Sequence, residues 1–188
     1  MTAIPVWLLD VDGVINACTP KPDPSIWAQD MWREGKAAAD NGTFTIRWST
    51  SVVDFIREVA ESGRAEVRWH TTWQHHAAAI EELTGLPSLA VAEAPEFDSP
   101  SAYAAKAIAD GRPDWWKLPT AERVVRDECR PLIWTDDDIT SGLWRYDVDA
   151  GLRAFAPALL VSPNERTGLT PKHLRLIGDF LDIHGGVR

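Results

Sequence analysis

Apolar and polar positions along the chain follow a pattern typical of an α/β protein. Short runs such as IPVWLL at residues 4–9 are apolar throughout, which predicts parallel strands buried under helices on both faces. Further strands are predicted at 65–71, 88–94, 131–135 and 157–162, and helices at 50–63, 73–85, 119–130 and 170–186. This alternation favours βαβ units in a doubly wound, mostly parallel sheet, a Rossmann-like three-layer sandwich.

Residue types at the ends of these helices support their boundaries. Gly63 and Gly85 follow two of the helices, and glycine is a common helix stop. Thr120 and Thr170 are predicted N-caps, and Pro171 would occupy the first position of the last helix.

Two segments fall outside the alternation. Residues 17–47 contain three prolines and the turn signal Asn41-Gly42, which predicts a loop and a β-hairpin. We interpret them as a small flap beside the first strand, too short for a separate cap domain. Residues 94–114 predict a loop with a short helix at 101–110.

Chain length and charge limit the possible functions. A chain of 188 residues predicts one domain, 1–188, that includes the flap. It has no apolar run long enough to cross a membrane and no recognisable signal peptide, so the expected location is cytoplasmic. Its two cysteines lie far apart and predict reduced thiols. A net charge of −9 argues against nonspecific nucleic-acid binding.

Polar residues follow several predicted strands where ligands bind in open α/β sheets. They are Asp10 and Asp12, Thr71 and Thr72, Lys117 at the start of a helix, and Asp136, Asp137 and Asp138. Carboxylates held close together repel one another unless a cation lies between them. Mg²⁺ is the natural candidate, because it prefers oxygen ligands and is usually bound by one or two carboxylates with water and phosphate.

The order of these residues resembles that of the haloacid dehalogenase (HAD) superfamily of phosphatases and phosphotransferases. DVDGV at residues 10–14 is similar to the first family motif and the threonine after VRWH to the second. Lys117 corresponds to the third motif and DDD at 136–138 to the fourth. The phrases DVDGVIN, HTTW, WWKL and WTDDDI further resemble a compact, capless subgroup found in bacterial proteins and as a domain of Swiss Army Knife RNA repair proteins.

The resemblance implies roles for the catalytic residues. Asp10 would attack phosphorus and form an aspartyl-phosphate, and Asp12 would protonate the leaving oxygen and later activate water. Thr71 would bind a phosphoryl oxygen, and Lys117 would offset the negative charge of the phosphate and of Asp10. Thr72 is the alternative to Thr71 and otherwise a substrate contact.

The resemblance also implies a metal site. Asp10, Asp136 and Asp137 would hold Mg²⁺ together with the backbone carbonyl of Asp12. Asp138 is a spare acid that could instead cap the segment that follows it.

Aromatic and imidazole side chains cluster near these residues. Among ten tryptophans, Trp73, Trp115 and Trp116 lie close enough in sequence to stack on a base or sugar, and Trp73 and Trp116 are the predicted substrate contacts. Three histidines, His70, His75 and His76, lack a matching set of metal ligands in the sequence and are interpreted as ordinary surface or supporting residues.

We therefore expect a Mg²⁺-dependent phosphoester hydrolase. Its substrate would be a phosphorylated small molecule, such as a nucleotide, or a nucleic-acid end, and the sequence does not separate these. Phosphotransfer to an acceptor other than water and a noncatalytic phosphate- or nucleic-acid-binding domain are alternatives. A receiver-like signalling module is disfavoured, because its acids, threonine and lysine come in a different order.

Overall fold

A computed structural model describes residues 3–40, 42–92, 100–111, 114–140 and 148–185. It contains a five-stranded parallel sheet and a separate antiparallel hairpin. The sheet strands are β1 (Val6–Leu9), β4 (Glu66–Trp69), β5 (Ala90–Val91), β6 (Leu132–Thr135) and β7 (Ala158–Val161), and the hairpin strands are β2 (Trp32–Ala39) and β3 (Gly42–Ser49). The predicted α/β class, parallel sheet and hairpin are therefore confirmed, although the strand predicted at 88–94 is only two residues long where it is described.

Six helices accompany these strands in the described part of the chain. They are α1 (Thr50–Ser62), α2 (Ala78–Thr84), α3 (Pro100–Ala109), α4 (Leu118–Arg126), α5 (Val148–Arg153) and α6 (Pro171–His184). Two 3₁₀ turns, Gln29–Met31 and Gln74–Ala77, precede β2 and α2. The helix predicted at 73–85 thus begins as a 3₁₀ turn. Within the described ranges, no helix has both the length and the apolar character needed to span a membrane.

Helices cover both faces of the sheet. The central strand β1 is therefore buried on both sides. Trp7 and Leu9 belong to a core cluster with residues of α1, α2 and α6. Val6 and Leu8 point the other way, into a cluster with residues of α4 and α5. Successive residues of a strand face opposite sides, so this division gives a three-layer arrangement.

The ends of the helices follow the predicted chemistry in most places. Gly63 and Gly85 adopt left-handed conformations after α1 and α2, with φ of 70° and 75°. Thr170 caps α6, accepting a hydrogen bond from the backbone N–H of His173. The prediction of Thr120 as an N-cap is wrong. The helix starts earlier, with Lys117 at the N-cap position, and Thr120 is buried in its first turn.

The hairpin is fixed to the sheet at its base. The backbone N–H of Ala17 donates to the carbonyl of Arg47 (2.8 Å), and the N–H of Arg47 donates to Oδ1 of Asn16 (2.9 Å). Ile46 and Trp48 of β3 are buried in the same core cluster as α1. The base of the hairpin is therefore tied to the loop after β1, and Asp40 lies at its other end.

The sheet order is β5-β4-β1-β6-β7. The chain moves from β1 towards β5, and then returns to place β6 on the opposite side of β1. Strand order therefore reverses between β1 and β6, which is where open α/β sheets form their ligand crevice. Asp10 and Asp136 directly follow these two strands.

Candidate active site

A buried lysine joins the two carboxylates at this crevice. Nζ of Lys117 donates to Oδ2 of Asp10 and to Oδ2 of Asp136, both at 2.5 Å. All three residues are buried, with Asp136 fully inaccessible. Sequence analysis predicted each of them as a site residue, and the structure brings them together from β1, α4 and β6.

Lys117 is the shared cation of two buried carboxylates, and this arrangement shifts the pKa values of Lys117 and Asp136. Burial opposes the charge of Lys117, but the charges of Asp10 and Asp136 outweigh burial and raise its pKa above the ordinary value. Burial and the nearby charge of Asp10 also raise the pKa of Asp136, against the opposing effect of Lys117. The lysine therefore stays charged and offsets only part of the negative charge around it.

A third carboxylate, Asp137, completes an acidic cluster. Single carboxylate oxygens of Asp10, Asp136 and Asp137 all lie within 4.8 Å of one another. Burial, and then the charges of Asp138 and Asp10, raise the pKa of Asp137 to about 6. Three hard oxygen donors at this spacing, with incomplete neutralisation by Lys117, fit a divalent cation such as Mg²⁺.

Gly13 allows the loop after β1 to approach this cluster. Its φ is +69°, and a Cβ built on it would overlap with Cγ of Asp137. Any side chain here would meet both an unfavourable backbone conformation and the Asp137 carboxylate. The glycine of the DVDG sequence is thus required by contact with an acid located 124 positions later in the chain.

Asp12 is held away from the acidic cluster by two donors. Nδ2 of Asn16 donates to its Oδ1 at 2.7 Å, and Nε1 of Trp73 donates to its Oδ2 at 2.9 Å. The side chain of Asp12 is not part of the cluster formed by Asp10, Asp136 and Asp137. The two acids of the first motif therefore have different partners: Asp10 pairs with a cation, and Asp12 accepts hydrogen bonds from neutral groups.

The two threonines after β4 differ in exposure. Thr71 is buried, and its Oγ1 accepts a hydrogen bond from the backbone N–H of Trp73 at 3.3 Å. Thr72 is exposed and lines a neighbouring cavity. The backbone N–H of His70 donates to the carbonyl of Leu9, so the segment carrying Thr71 leaves the same edge of the sheet as Asp10.

Trp116 and His70 lie behind the site. Trp116 is buried with Tyr103 and Ala107, and its ring centroid is 5.7 Å from Nζ of Lys117. His70 is fully buried between Trp116 and Trp134, and no described residue is a hydrogen-bond partner of its ring nitrogens. Burial and the charge of Lys117 lower the pKa of His70 well below its ordinary value, so the imidazole is neutral.

A cavity of about 510 Å³ opens beside Asp12. Asp40 and Phe44 of the hairpin form one wall, and Thr72 and Trp73 form the other. The rings of Phe44 and Trp73 meet edge to face, with centroids 5.6 Å apart and planes at 74°. Trp73, predicted as a substrate contact, lines this cavity, whereas Trp116 is not among the described residues that line it.

A second group of metal-ligand side chains lies at the rim of this cavity. Asp40 comes within reach of the adjacent histidines, with its Oδ2 3.0 Å from Nε2 of His76. Ligand atoms of Asp40, His75 and His76 lie within 4.8 Å of one another. No partner for these histidines was predictable from the sequence, because Asp40 lies 35 positions before His75 and reaches the two histidines through the hairpin.

Sequence reasoning missed three residues of this region: Asn16, Asp40 and Phe44. Asn16 follows two apolar residues in the quoted DVDGVIN stretch, so a polar side chain in a buried turn was the available signal.

Asp138, left open as a cap, is exposed. Its backbone N–H instead donates to Oδ1 of Asp136 at 2.9 Å, so Asp136 organises this turn.

Comparison of the chain with protein-family models, with curated proteins and with solved structures finds no match.

Proposed function

We propose that this protein is a Mg²⁺-dependent phosphoester hydrolase that works through an aspartyl-phosphate, as the HAD superfamily does. One observation carries the proposal: Lys117 joins Asp10 to Asp136 at the reversal of strand order, while Asp12 is held apart by Asn16 and Trp73. A nucleophile beside fixed positive charge and a separate proton-transfer group are what two-step phosphoryl transfer needs.

Each side chain of the site would have its own role in the reaction. Oδ1 of Asp10 accepts a hydrogen bond from the backbone N–H of Val11, and its Oδ2 accepts one from Lys117, so the carboxylate is oriented as a nucleophile. Attack on phosphorus forms the Asp10–phosphate bond and breaks the bond to the leaving oxygen, which takes a proton from Asp12. Asp12 then removes a proton from water as that water attacks the phosphorus of the aspartyl-phosphate, which breaks the Asp10–phosphate bond, frees the Asp10 carboxylate and releases inorganic phosphate. Lys117 offsets charge throughout, and Thr71 donates a hydrogen bond to the phosphoryl group.

Mg²⁺ fits the donor set formed by Asp10, Asp136 and Asp137. Their oxygens are close together, two of the three have raised pKa values, and Lys117 supplies only one positive charge. When bound, Mg²⁺ would neutralise negative charge on the phosphate and on these carboxylates.

The first experiment compares the wild type with Asp10→Asn. We expect hydrolysis of an aryl phosphate by the wild type to require Mg²⁺, and Asp10→Asn to abolish it because the amide cannot attack phosphorus. Asp12→Asn should retain metal binding and lose about 10²–10⁴-fold in rate, the usual contribution of general acid–base catalysis.

Two controls make the result interpretable. Asp110→Asn, at an exposed position directly after α3, should leave the rate unchanged. Thermal unfolding should show that Mg²⁺ raises the Tm of the wild type. The rise should be smaller for Asp137→Asn, because this variant lacks one proposed metal ligand. If Mg²⁺ binds but no phosphate ester is hydrolysed, hydrolysis is the wrong function, and phosphotransfer or phosphate binding takes its place.

A further inference from the structure

We propose that the cavity beside Asp12 binds the nucleoside of a nucleoside monophosphate and excludes a nucleic-acid end. The inference rests on the proposed function, since it names the leaving group of that reaction. It selects one of the two substrate classes that the sequence leaves open.

The position of the cavity assigns it to the leaving group. Asp12, the proposed proton donor, lines the cavity, whereas Asp10, Thr71 and Lys117 are not among its described lining residues. The proton donor must lie next to the leaving oxygen, so the group attached to that oxygen extends towards Asp12. The cavity begins at this point and continues towards the hairpin.

The size and walls of the cavity suit a ring-bearing group. A volume of about 510 Å³ is within the usual range of roughly 300–1,000 Å³ for small-molecule sites. Phe44 remains 41% exposed although it packs against Trp73, so part of its ring faces open space. Aromatic rings of this kind stack on nucleobases, and the exposed hydroxyl of Thr72 is available to a sugar hydroxyl.

The charge of the cavity separates a mononucleotide from a strand end. Among the described residues that line it, none is Lys or Arg, while Asp12 and Asp40 are acidic. A nucleic-acid end would bring further phosphates along the leaving group, and those phosphates need cationic side chains. A nucleoside is neutral and meets no such repulsion. The acidic cavity therefore favours a leaving group without additional phosphate.

The experiment measures kcat/KM of the wild type with Mg²⁺ for four phosphates. They are a nucleoside 5′-monophosphate, the matching nucleoside 3′,5′-bisphosphate, a 5′-phosphorylated oligonucleotide and glycerol phosphate. We expect the monophosphate to exceed glycerol phosphate by about tenfold or more, which corresponds to one stacking contact. It should exceed the bisphosphate and the oligonucleotide by about tenfold or more as well, because their additional phosphates meet the acidic residues of the cavity. An equal or higher value for the bisphosphate, the oligonucleotide or glycerol phosphate would overturn the inference.

Variants test the aromatic stacking contact and the acidic charge of the cavity separately. Phe44→Ala should lower the preference for the monophosphate over glycerol phosphate by about tenfold. Asp40→Lys should reduce the ratio of kcat/KM for the monophosphate to kcat/KM for the bisphosphate, because it replaces a negative charge of the cavity by a positive one. Phe155→Ala is the matched control, because Phe155 is 55% exposed and lies against Arg126, outside the site, so it should change neither ratio. Unchanged ratios in the two cavity variants would contradict the assignment.

Calorimetric titration separates failure of this inference from failure of the proposed function. The monophosphate and the free nucleoside are titrated into the wild type and into Phe44→Ala. Absence of hydrolysis of every phosphate, together with nucleoside binding that Phe44→Ala weakens, would reject the hydrolase and keep the cavity assignment. Hydrolysis of an aryl phosphate without nucleoside binding would keep the hydrolase and reject the cavity assignment.

Discussion

Nε1 of Trp73 donates a hydrogen bond to Oδ2 of Asp12 at 2.9 Å. Trp73 is thus more than a wall of the cavity: its indole fixes one oxygen of the proposed proton-transfer group. Asn16 fixes the other oxygen at 2.7 Å. The same asparagine accepts a hydrogen bond from the backbone N–H of Arg47, so the base of the hairpin and the orientation of Asp12 depend on one side chain.

Replacing Trp73 by Phe should reduce catalysis without unfolding the protein. The ring remains and still packs against Phe44, but the donor to Asp12 is lost and the carboxylate can rotate. We expect kcat to fall by about tenfold to a hundredfold, the cost of misplacing a catalytic group slightly, with a smaller change in KM. Steady-state kinetics on an aryl phosphate measures this effect.

Trp32→Phe provides the matched control for that prediction. Its indole donates to the carbonyl of Trp27 at 3.1 Å, so the substitution also deletes one hydrogen bond but leaves Asp12 unchanged. A loss of kcat in Trp32→Phe as large as that in Trp73→Phe would mean that general destabilisation, and not the position of Asp12, explains the effect.

Local chemistry made most of the fold predictable. The continuous apolar runs gave β1, β6 and β7, because strands covered by helices on both faces have no polar side to interrupt them. Gly63 and Thr170 marked helix ends for reasons contained in a few adjacent residues. Thr120 was misassigned because its burial is a tertiary property, which outweighs the local preference of threonine for an N-cap.

Lys117→Met should destabilise the metal-free protein and impair hydrolysis. The substitution leaves Asp10 and Asp136 buried without their shared cation, and breaking a buried ion pair from one side costs about 3–5 kcal/mol. Loss of a fixed positive charge at the phosphate should lower kcat by about 10²–10³-fold. Denaturant unfolding with a chelator and with Mg²⁺ measures the first effect, and Mg²⁺ should restore part of the stability.

Lys106→Met serves as the control for this variant. Lys106 is exposed on α3, so its loss should change the free energy of unfolding by no more than about 0.5 kcal/mol. Equal stability of Lys117→Met and the wild type in chelator would show that the buried bridge contributes nothing to folding.

Gly13→Ala should weaken both folding and Mg²⁺ binding. The left-handed backbone costs an alanine about 1–2 kcal/mol, and its Cβ would press on the carboxylate of Asp137. Gly63→Ala isolates the first effect, since Gly63 has φ of +70° and, among the described residues, no atom beyond its own chain neighbours lies within 4 Å of a built Cβ. Thermal unfolding across a Mg²⁺ titration should show reduced stability in both variants but a weaker metal response only in Gly13→Ala. An identical metal response in the two would contradict a role for Gly13 in placing Asp137.

The site was less predictable than the fold, because its pairings join distant parts of the chain. Family resemblance suggested Asp10, Lys117 and Asp136, and the sheet order brings these residues to one crevice. No local pattern indicated that Trp73 reaches Asp12 or that Asp40 reaches His76. The first contact depends on how the loop after β1 packs against the segment after β4, and the second on how the hairpin packs against that segment. Buried residues such as Ile46 and Trp73 belong to one core cluster that holds these parts together.

Stability in acid should depend on an ion-pair network centred on Glu66. Its carboxylate accepts hydrogen bonds from Arg68 at 2.8 Å and from Arg130 at 2.5 Å. The bond from Arg68, supported by Arg130 and opposed by burial, lowers the pKa of Glu66 from 4.5 to about 2. A depressed pKa in the folded state means that the contribution is fully present above pH 4.5 and is lost as the pH falls towards 2.

Glu66→Gln should therefore lower the free energy of unfolding at pH 7 and matter less in acid. Because the Glu66 side chain is 39% exposed, solvent screening limits the loss to about 1 kcal/mol or less. Urea unfolding between pH 3 and pH 7 should show the difference from the wild type shrinking below pH 4.5. Glu82→Gln, at an exposed position of α2, should differ from the wild type by no more than about 0.5 kcal/mol at every pH. A Glu66→Gln difference that stays constant down to pH 3 would show that packing, and not the charge of Glu66, supports this part of the sheet.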